Sequence, residues 1–330
     1  MVQVKVGVRV ACFDIGSNAI RFLIAEWEGD GLRELCIGGE ITSVHNALND
    51  LGYIELDRLA PSLEALSKFV MMAKRCGATP VCALATAAIR EAKNAGNVIK
   101  EIEERVGIPV VCLSQDAEAR LGFLAALHGM PIVGEGKKVV FADVGGYSTE
   151  IVVGDASGCV EFVGGLDFGS GKLTRRFITA YPISRNEREA LLSFTLALLK
   201  AGVPPFQFCS HLIVSGGTAV ALAMLKHGVD HPSTDRLHAT ILTREEVAHM
   251  LEMVANMSLS ECESLLKFEP RRAPLFYAGI AILFSLMEVG GFSEAFVSAR
   301  CLMHGALEKL MRMRVDVTSP CQIKAILNEP

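Results

Sequence analysis

Phe13-Asp14-Ile15-Gly16-Ser17-Asn18, followed by Ile20-Arg21-Phe22-Leu23-Ile24, decides the fold, because the chain says it twice. The second copy reads Phe141-Ala142-Asp143-Val144-Gly145-Gly146-Tyr147-Ser148-Thr149-Glu150-Ile151-Val152. Each copy is an apolar run, an Asp, a glycine-bearing polar turn and a second apolar run that predicts a strand. Asp14 and Asp143 stand 129 positions apart, too far for a solenoid repeat and suited to a duplicated domain. The chemistry suits phosphate. Glycines let the backbone turn with its N–H groups converging, and the hydroxyls of Ser17, Ser148 and Thr149 add donors to such an anion nest. An Asp at the strand end can hold a divalent cation, or its water shell, beside those phosphates.

The chain around these turns is that of a globular α/β protein. Its 330 residues suffice for two domains with full cores. A hydrophobic content of 51% with 21% charged residues excludes a disordered chain. The net charge of −5 argues against broad binding to nucleic acid, which needs a basic face. The start, residues 1–6, alternates like a first strand and lacks the apolar core of a signal peptide. The most apolar stretch, 275–289, carries Glu288 and is too short to span a bilayer. No membrane association and a cytoplasmic location are therefore expected. The ten cysteines show no CxxC spacing, and the many that lie in apolar runs, such as Cys82 and Cys112, read as reduced, buried small hydrophobes.

Helical spacing of Leu59, Leu63, Leu66, Val70 and Ala73 predicts a helix stopped by Gly77. A strand over 80–85, a helix over 97–106 and a strand over 110–113 follow, and Ser114 is placed to cap the helix carrying Asp116, Glu118 and Arg120. Residues 131–138 read as a linker. The second half predicts helices near 172–180 and 185–200, and a strand over 212–215 leading to Gly216-Gly217-Thr218. Thr243-Arg244-Glu245-Glu246 is a capping box. A strand over 295–298 and a final helix over 302–313 close the pattern. The expected architecture is two similar α/β domains, 1–130 and 131–330, facing across a cleft. The C-terminal helix has the option of packing back on the first, and no further C-terminal module is expected.

On these motifs the chain resembles the exopolyphosphatase / guanosine pentaphosphate phosphohydrolase family, of the actin, hsp70 and sugar-kinase-like superfamily, over about 8–310. Asp14-Ile15-Gly16-Ser17-Asn18 matches its first phosphate motif, and the Asp143 to Glu150 segment is similar to its second. Ala85-Thr86-Ala87-Ala88-Ile89-Arg90 resembles the block whose arginine faces the phosphate chain, which gives that role to Arg90. Ser114-Gln115-Asp116-Ala117-Glu118-Ala119-Arg120 resembles the segment supplying the catalytic glutamate, which makes Glu118 the general base. The resemblance implies an actin-like (ribonuclease H-like) fold and Mg2+ at Asp143 and Glu150. It implies phosphate binding by Asp14, Gly16, Ser17, Asn18, Arg90, Gly145, Gly146, Ser148, Thr149, Gly216 and Gly217. Homodimerisation is a further implication.

Three segments depart from the family. Tyr147 stands where the family has Gly; a tyrosine tolerates positive φ poorly and puts a ring where phosphates approach the backbone. The acidic run is Asp116-Ala117-Glu118 in place of three glutamates. Cys301-Leu302-Met303-His304-Gly305 replaces Gly-Leu-Arg-Glu-Gly, losing an arginine and an acid.

The leading expectation is a magnesium-dependent phosphohydrolase acting on the end of inorganic polyphosphate or on the 5′-phosphate of guanosine pentaphosphate. Two alternatives stay open: a phosphate- or nucleotide-binding sensor with weak or no turnover, and a sugar or acetate kinase. Apart from the resemblance, Glu118 reads as an acid at a helix N-terminus, and Gly216-Gly217 as a tight turn and helix cap. Arg271-Arg272 reads first as a solvated helix start and second as a polyanion contact, and His227 and His231 read as loop residues.

Overall fold

The computed structural model describes residues 7–29, 31–132, 137–204, 206 and 208–329, apart from the side chain of Pro80. The strand expected over 1–6 and the middle of the linker expected over 131–138 lie outside the described residues. In chain order the elements begin with β1 (Val8–Ile15), β2 (Ala19–Glu28), β3 (Gly31–Ile41), α1 (Ala60–Arg75) and β4 (Thr79–Ala85). Then come α2 (Ala87–Arg90), α3 (Ala95–Val106), β5 (Val110–Cys112) and α4 (Gln115–Leu127). The second run has β6 (Lys138–Val144), β7 (Thr149–Asp155), β8 (Val160–Leu166), α5 (Ser170–Phe177), α6 (Arg185–Gly202) and β9 (Cys209–Ser215). It continues with α7 (Gly217–His227), α8 (Thr234–Leu237), β10 (Thr240–Thr243), α9 (Arg244–Ala255), α10 (Leu259–Leu265) and α11 (Ala273–Gly290). The last elements are β11 (Glu294–Val297), α12 (Leu302–Arg312) and α13 (Pro320–Asn328).

Two compact units emerge: Met1–Leu121 with Leu302–Pro330, and Gly122–Cys301. The sequence division drew a boundary after residue 130 and counted 302–330 with the second half, while leaving the C-terminal helix the option of packing back on the first. Packing assigns that segment to the first unit, because α12 lies on β1, β2 and β3. Strands present alternate residues to opposite faces. Ala11, Phe13 and Ile15 of β1 join the core under α1, with Leu63, Leu66 and Val70. Val10 and Cys12 face the other way and are equally buried, and α12 covers that face with Leu302, Met303, Ala306 and Leu307.

The sheet orders demonstrate the duplication. The first sheet runs β3-β2-β1-β4-β5 and the second β8-β7-β6-β9-β11-β10, the same order with β10 added at the end. In both, two antiparallel strands precede parallel ones, β1-β4-β5 and β6-β9-β11. The expected two-domain actin-like α/β class is thus what the chain adopts.

In the second unit the apolar helix α11 is the centrepiece, packed against α5, α6, α7 and α9 and reaching β6 and β9. Residues Pro270–Gly290 are long and apolar enough to cross a membrane, yet 67% of the most apolar 18 residues among them are buried inside the protein, as a core helix requires. The capping box at Thr243 and Glu246 forms as read.

Several elements differ from the reading. β3, α13 and β10 were not foreseen. β3 is half-buried along its length with no clean alternation, so it carries no period-2 signal. Of the ten cysteines, Cys12, Cys82 and Cys262 are buried, while Cys36, Cys76, Cys159 and Cys321 are exposed; all are free thiols. Tyr147 does not take the positive φ that made it suspect: Ser43, Ala239 and Arg314 are the non-glycine residues that do, among those described. His304, standing where the family has an acid, is 1% exposed and places Nε2 3.3 Å from Glu34 Oε2 on β3, so this departure is absorbed by packing.

Gly305 lets α12 come close to α4: a methyl there would collide with the Leu121 carbonyl. Gly305→Ala is expected to cost about 1–3 kcal/mol through overpacking. A thermal melt should show this as a Tm lower by several degrees; an unchanged Tm would show that α12 does not depend on this approach.

Candidate functional site

The candidate residues cluster at the carboxyl ends of parallel strands, where open α/β sheets bind ligands. Asp14 is the last residue but one of β1 and Arg90 follows β4, while Glu118 follows β5; in the second unit Asp143 is the last residue but one of β6 and Gly216 follows β9. The backbone after each Asp closes in the same way. Gly16 N–H donates to Ala19 C=O at 3.1 Å, and Gly145 N–H donates to Ser148 C=O at 3.1 Å.

The turns then spend their carbonyls on neighbouring backbone. In the first, Ser17 C=O accepts from His45 N–H at 3.0 Å, and Asn18 C=O accepts from Ser43 N–H at 2.8 Å. In the second, Gly145 C=O accepts from Ser170 N–H at 2.9 Å and Gly146 C=O from Gly171 N–H at 2.8 Å. A trans peptide points its N–H opposite to its C=O. Asn18 N–H therefore points away from residues 42–45, and Gly146 and Tyr147 N–H both point away from α5. Consecutive amides aimed one way make an anion nest. Tyr147 contributes to it through its backbone whatever its ring does.

That ring packs on cations. Lys172 Nζ lies 4.1 Å and Arg175 Cζ 5.4 Å from its centroid, and Lys172 is ion-paired with Asp167. These two basic residues of α5 gather at the second turn, a cluster the sequence reading did not foresee. Ser17 and Ser148 are buried beside their turns. Thr149 is different: it is fully buried and its Oγ1 donates to Phe168 C=O at 2.8 Å, a bond that fastens β7 to the start of α5.

In the first unit, Arg90 and Glu118 meet. Arg90 Nη1 lies 2.6 Å from Glu118 Oε2 and 3.1 Å from Leu113 C=O, with 20% and 12% of the two side chains exposed. The residue types were separated by 28 positions and had been given separate roles; the fold makes them one charge-assisted pair. Cys112 sits beside them: burial raises its thiol pKa, and the Arg90 charge opposes that shift. Asp116 of the acidic run pairs along its own helix with Arg120 at 2.6 Å.

In the second unit, Asp143 and Glu150 are direct cross-strand partners on β6 and β7, and Asp143 pairs with Ser215 on its other side. Directly opposite residues place their Cβ atoms about 4.5–5.5 Å apart on one face. Glu150 is 2% exposed. Two carboxylates held this close in a buried setting suit a hard divalent cation, which takes one or two carboxylates and shares the substrate's phosphates. Among the described residues no group of three or more His, Cys, Asp or Glu side chains is placed to hold a metal ion. In the first copy the position equivalent to Glu150 is Arg21, opposite Asp14. The duplication is thus broken where charge matters, with one turn backed by an Asp and Arg and the other by two acids. Aligning the two copies shows this in the sequence, and it was missed there.

Gly216 is required by its backbone, while Gly217 leaves room for one side chain. Gly216 has φ +101, and a Cβ on it would strike the Val144 carbonyl and lie 3.1 Å from Asp143 Oδ1. A Cβ on Gly217 would strike the Arg272 guanidinium, which stacks on this turn while pairing with Glu269. Arg272 is therefore no solvated helix start; its side chain is 14% exposed and stands at the glycine turn. Only the fold could show it, since 55 residues separate the two. His227 bonds Thr240 Oγ1 at 2.9 Å and takes no part in the site.

Gly217→Ala should dislodge Arg272 and weaken binding of inorganic tripolyphosphate about 10- to 150-fold by calorimetry, the loss of one charged contact (about 1.5–3 kcal/mol). Unchanged affinity would remove Arg272 from the site.

The chain matches the Ppx/GppA phosphatase family over residues 24–313. It is 22% identical over 320 residues to exopolyphosphatase 1 of Mycobacterium bovis, covering 94% of this chain and 90% of that one. It is also 25% identical to a bifunctional 3-dehydroquinate synthase/phosphatase of Fusobacterium nucleatum, over 90% of this chain but only 46% of that protein's length. Among solved structures, the Ppx/GppA family member from Aquifex aeolicus superposes with a TM-score of 0.77 at 27% identity, covering 93% of this chain and 98% of that one. An exopolyphosphatase from Cytophaga hutchinsonii gives 0.81 at 20% identity, covering 94% and 100%, and so speaks for the fold. Duplicated sheets, paired Asp-Gly turns and the family match over most of the chain together place it in the Ppx/GppA phosphatase family.

Proposed function

We propose that this chain is a magnesium-dependent phosphohydrolase that removes the terminal phosphate of a phosphoanhydride chain, by attack of water with Glu118 as general base. The observation that carries this reading is the pair of equivalent Asp-Gly turns, each with amide N–H groups turned away from its own packing contacts. Its substrate is inorganic polyphosphate or the 5′-phosphate of guanosine pentaphosphate. Membership in the family, and the exopolyphosphatases the chain is similar to, support the former. A cytoplasmic setting also belongs to the proposal, and homodimerisation does so through resemblance alone.

In this reading the amides of Asn18, Gly146 and Tyr147, with Ser17 and Ser148, hold the phosphate oxygens. Arg90 fixes the Glu118 carboxylate in direction while presenting its remaining N–H donors to the phosphate chain. Glu118 accepts the proton of the attacking water, which requires that water within hydrogen-bond reach of it. Arg272, over Gly217, supplies a further cation in the second unit. Asp143 and Glu150 would hold Mg2+, which when bound neutralises charge on the phosphate oxygens. Positioning and charge neutralisation are the main demands of phosphoryl transfer, and these residues supply both.

The test is phosphate release by the purified protein with magnesium, offered short polyphosphate, long polyphosphate, guanosine pentaphosphate and ATP, beside Glu118→Ala. Release should fall about 10²–10⁴-fold in the mutant, the usual worth of a general base. Stabilisation by one of these ligands without release from any would replace the enzyme by the binding-protein reading. Tyr147→Gly bears on the same choice. Because the ring packs on Lys172 and Arg175, we expect no gain in release; a gain would mean that the ring obstructs the turn, as the binding-protein reading requires.

A further inference from the structure

Residues 112–114 join β5 to α4 and are tied in several directions. Leu113 N–H donates to Ala85 C=O at 3.0 Å, and Leu113 C=O accepts from Arg90 Nη1 at 3.1 Å. Ser114 C=O accepts from Glu118 N–H at 3.0 Å, and Ser114 Oγ accepts from Ala117 N–H at 3.1 Å. Both partners of the Arg90–Glu118 pair therefore hang on this short segment. Two more of its backbone groups meet one side chain from the far end of the sequence. Asn328 Oδ1 accepts from Ser114 N–H at 3.0 Å, and Asn328 Nδ2 donates to Cys112 C=O at 3.2 Å.

β5 is the last strand of its sheet, and its outward N–H and C=O groups are those of alternate residues. Cys112 and Ser114 supply one of each. The Asn328 amide answers with one acceptor and one donor, as the peptide of a neighbouring strand would. The helix that carries Asn328 is firmly seated. Ile323 and Leu327 of α13 are fully buried, and Lys324 Nζ lies 2.7 Å from Glu103 Oε1. That same Glu103 oxygen accepts from Val110 N–H at 2.8 Å, at the start of β5. One helix thus holds β5 at both ends. It also lies beyond residue 313, where the match to the family ends.

We propose that Asn328 is a positioning residue for Glu118: α13 clamps the β5–α4 junction and so sets the direction of the Glu118 carboxylate. The proposal rests on Glu118 being the general base. Asn328 does not touch the substrate. It acts through Ser114 and Leu113, which fix the first turn of α4 and the Arg90 side chain.

Full-length Asn328→Ala and Asn328→Asp test it by amide hydrogen exchange and by steady-state kinetics. In Asn328→Ala, exchange at 114–118 should quicken about tenfold, with kcat for phosphate release down by about tenfold and KM unchanged within about twofold, as expected for a misplaced catalytic group. Asn328→Asp keeps the acceptor for Ser114 N–H and should restore part of both. Unchanged exchange at 114–118 overturns the clamp whatever the kinetics show. Faster exchange with wild-type kcat overturns the positioning role. So does a rise in KM that accompanies a general loss of exchange protection, which marks a purely structural contact. Equal release by wild type and Glu118→Ala would remove the base assignment, and this proposal with it, even if the exchange result stands.

Discussion

The hydrogen bond that closes each Asp-Gly turn, Gly16 N–H to Ala19 C=O and Gly145 N–H to Ser148 C=O, is the constraint on which the rest depends. It fixes where a β-hairpin reverses, and therefore which residue lies across from each Asp. It also forces the turn carbonyls outward, onto residues 42–45 in one unit and onto the start of α5 in the other. The opposing amides are then committed to the other side without any side chain arranging them. This amide arrangement is a property of backbone geometry, so a tyrosine at position 147 leaves it in place.

Charge is where the two copies part. The position across from Asp14 carries Arg21, and the equivalent position across from Asp143 carries Glu150. One turn is therefore backed by an acid and a base and the other by two acids. A sheet duplicated without that change would present the same electrostatics twice. Arg272 against Gly217, and Lys172 and Arg175 at Tyr147, bring positive charge to the second unit. These local cations reconcile an acidic chain with a polyanionic substrate.

The parts of the site that could be read in the sequence are those made by neighbours in the chain. Asp14 to Asn18 and Asp143 to Thr149 are contiguous, so their turn chemistry shows directly. Ser114 capping α4 is equally local and forms as expected. The pairing of Arg90 with Glu118 could not be read, because their separation of 28 residues carries no periodicity. Arg272 was misjudged for the same reason: a double arginine before an apolar helix looks solvated until a glycine turn packs under it. β3 was missed because a half-buried strand has no alternating face to show.

The sequence by itself determined the duplication, the α/β class, the family and the residue types available for phosphate chemistry, since all of these are written in short contiguous motifs. Tertiary structure alone decided which charges meet and where the chain's last segment goes. α12 returns to the first sheet because Val10 and Cys12 leave an apolar face that must be covered, and Leu302, Met303, Ala306 and Leu307 cover it. α13 follows it and brings Asn328 to a strand edge 214 positions away in the chain. Burial of apolar surface and satisfaction of edge hydrogen bonds act through space, so no local pattern announces their partners.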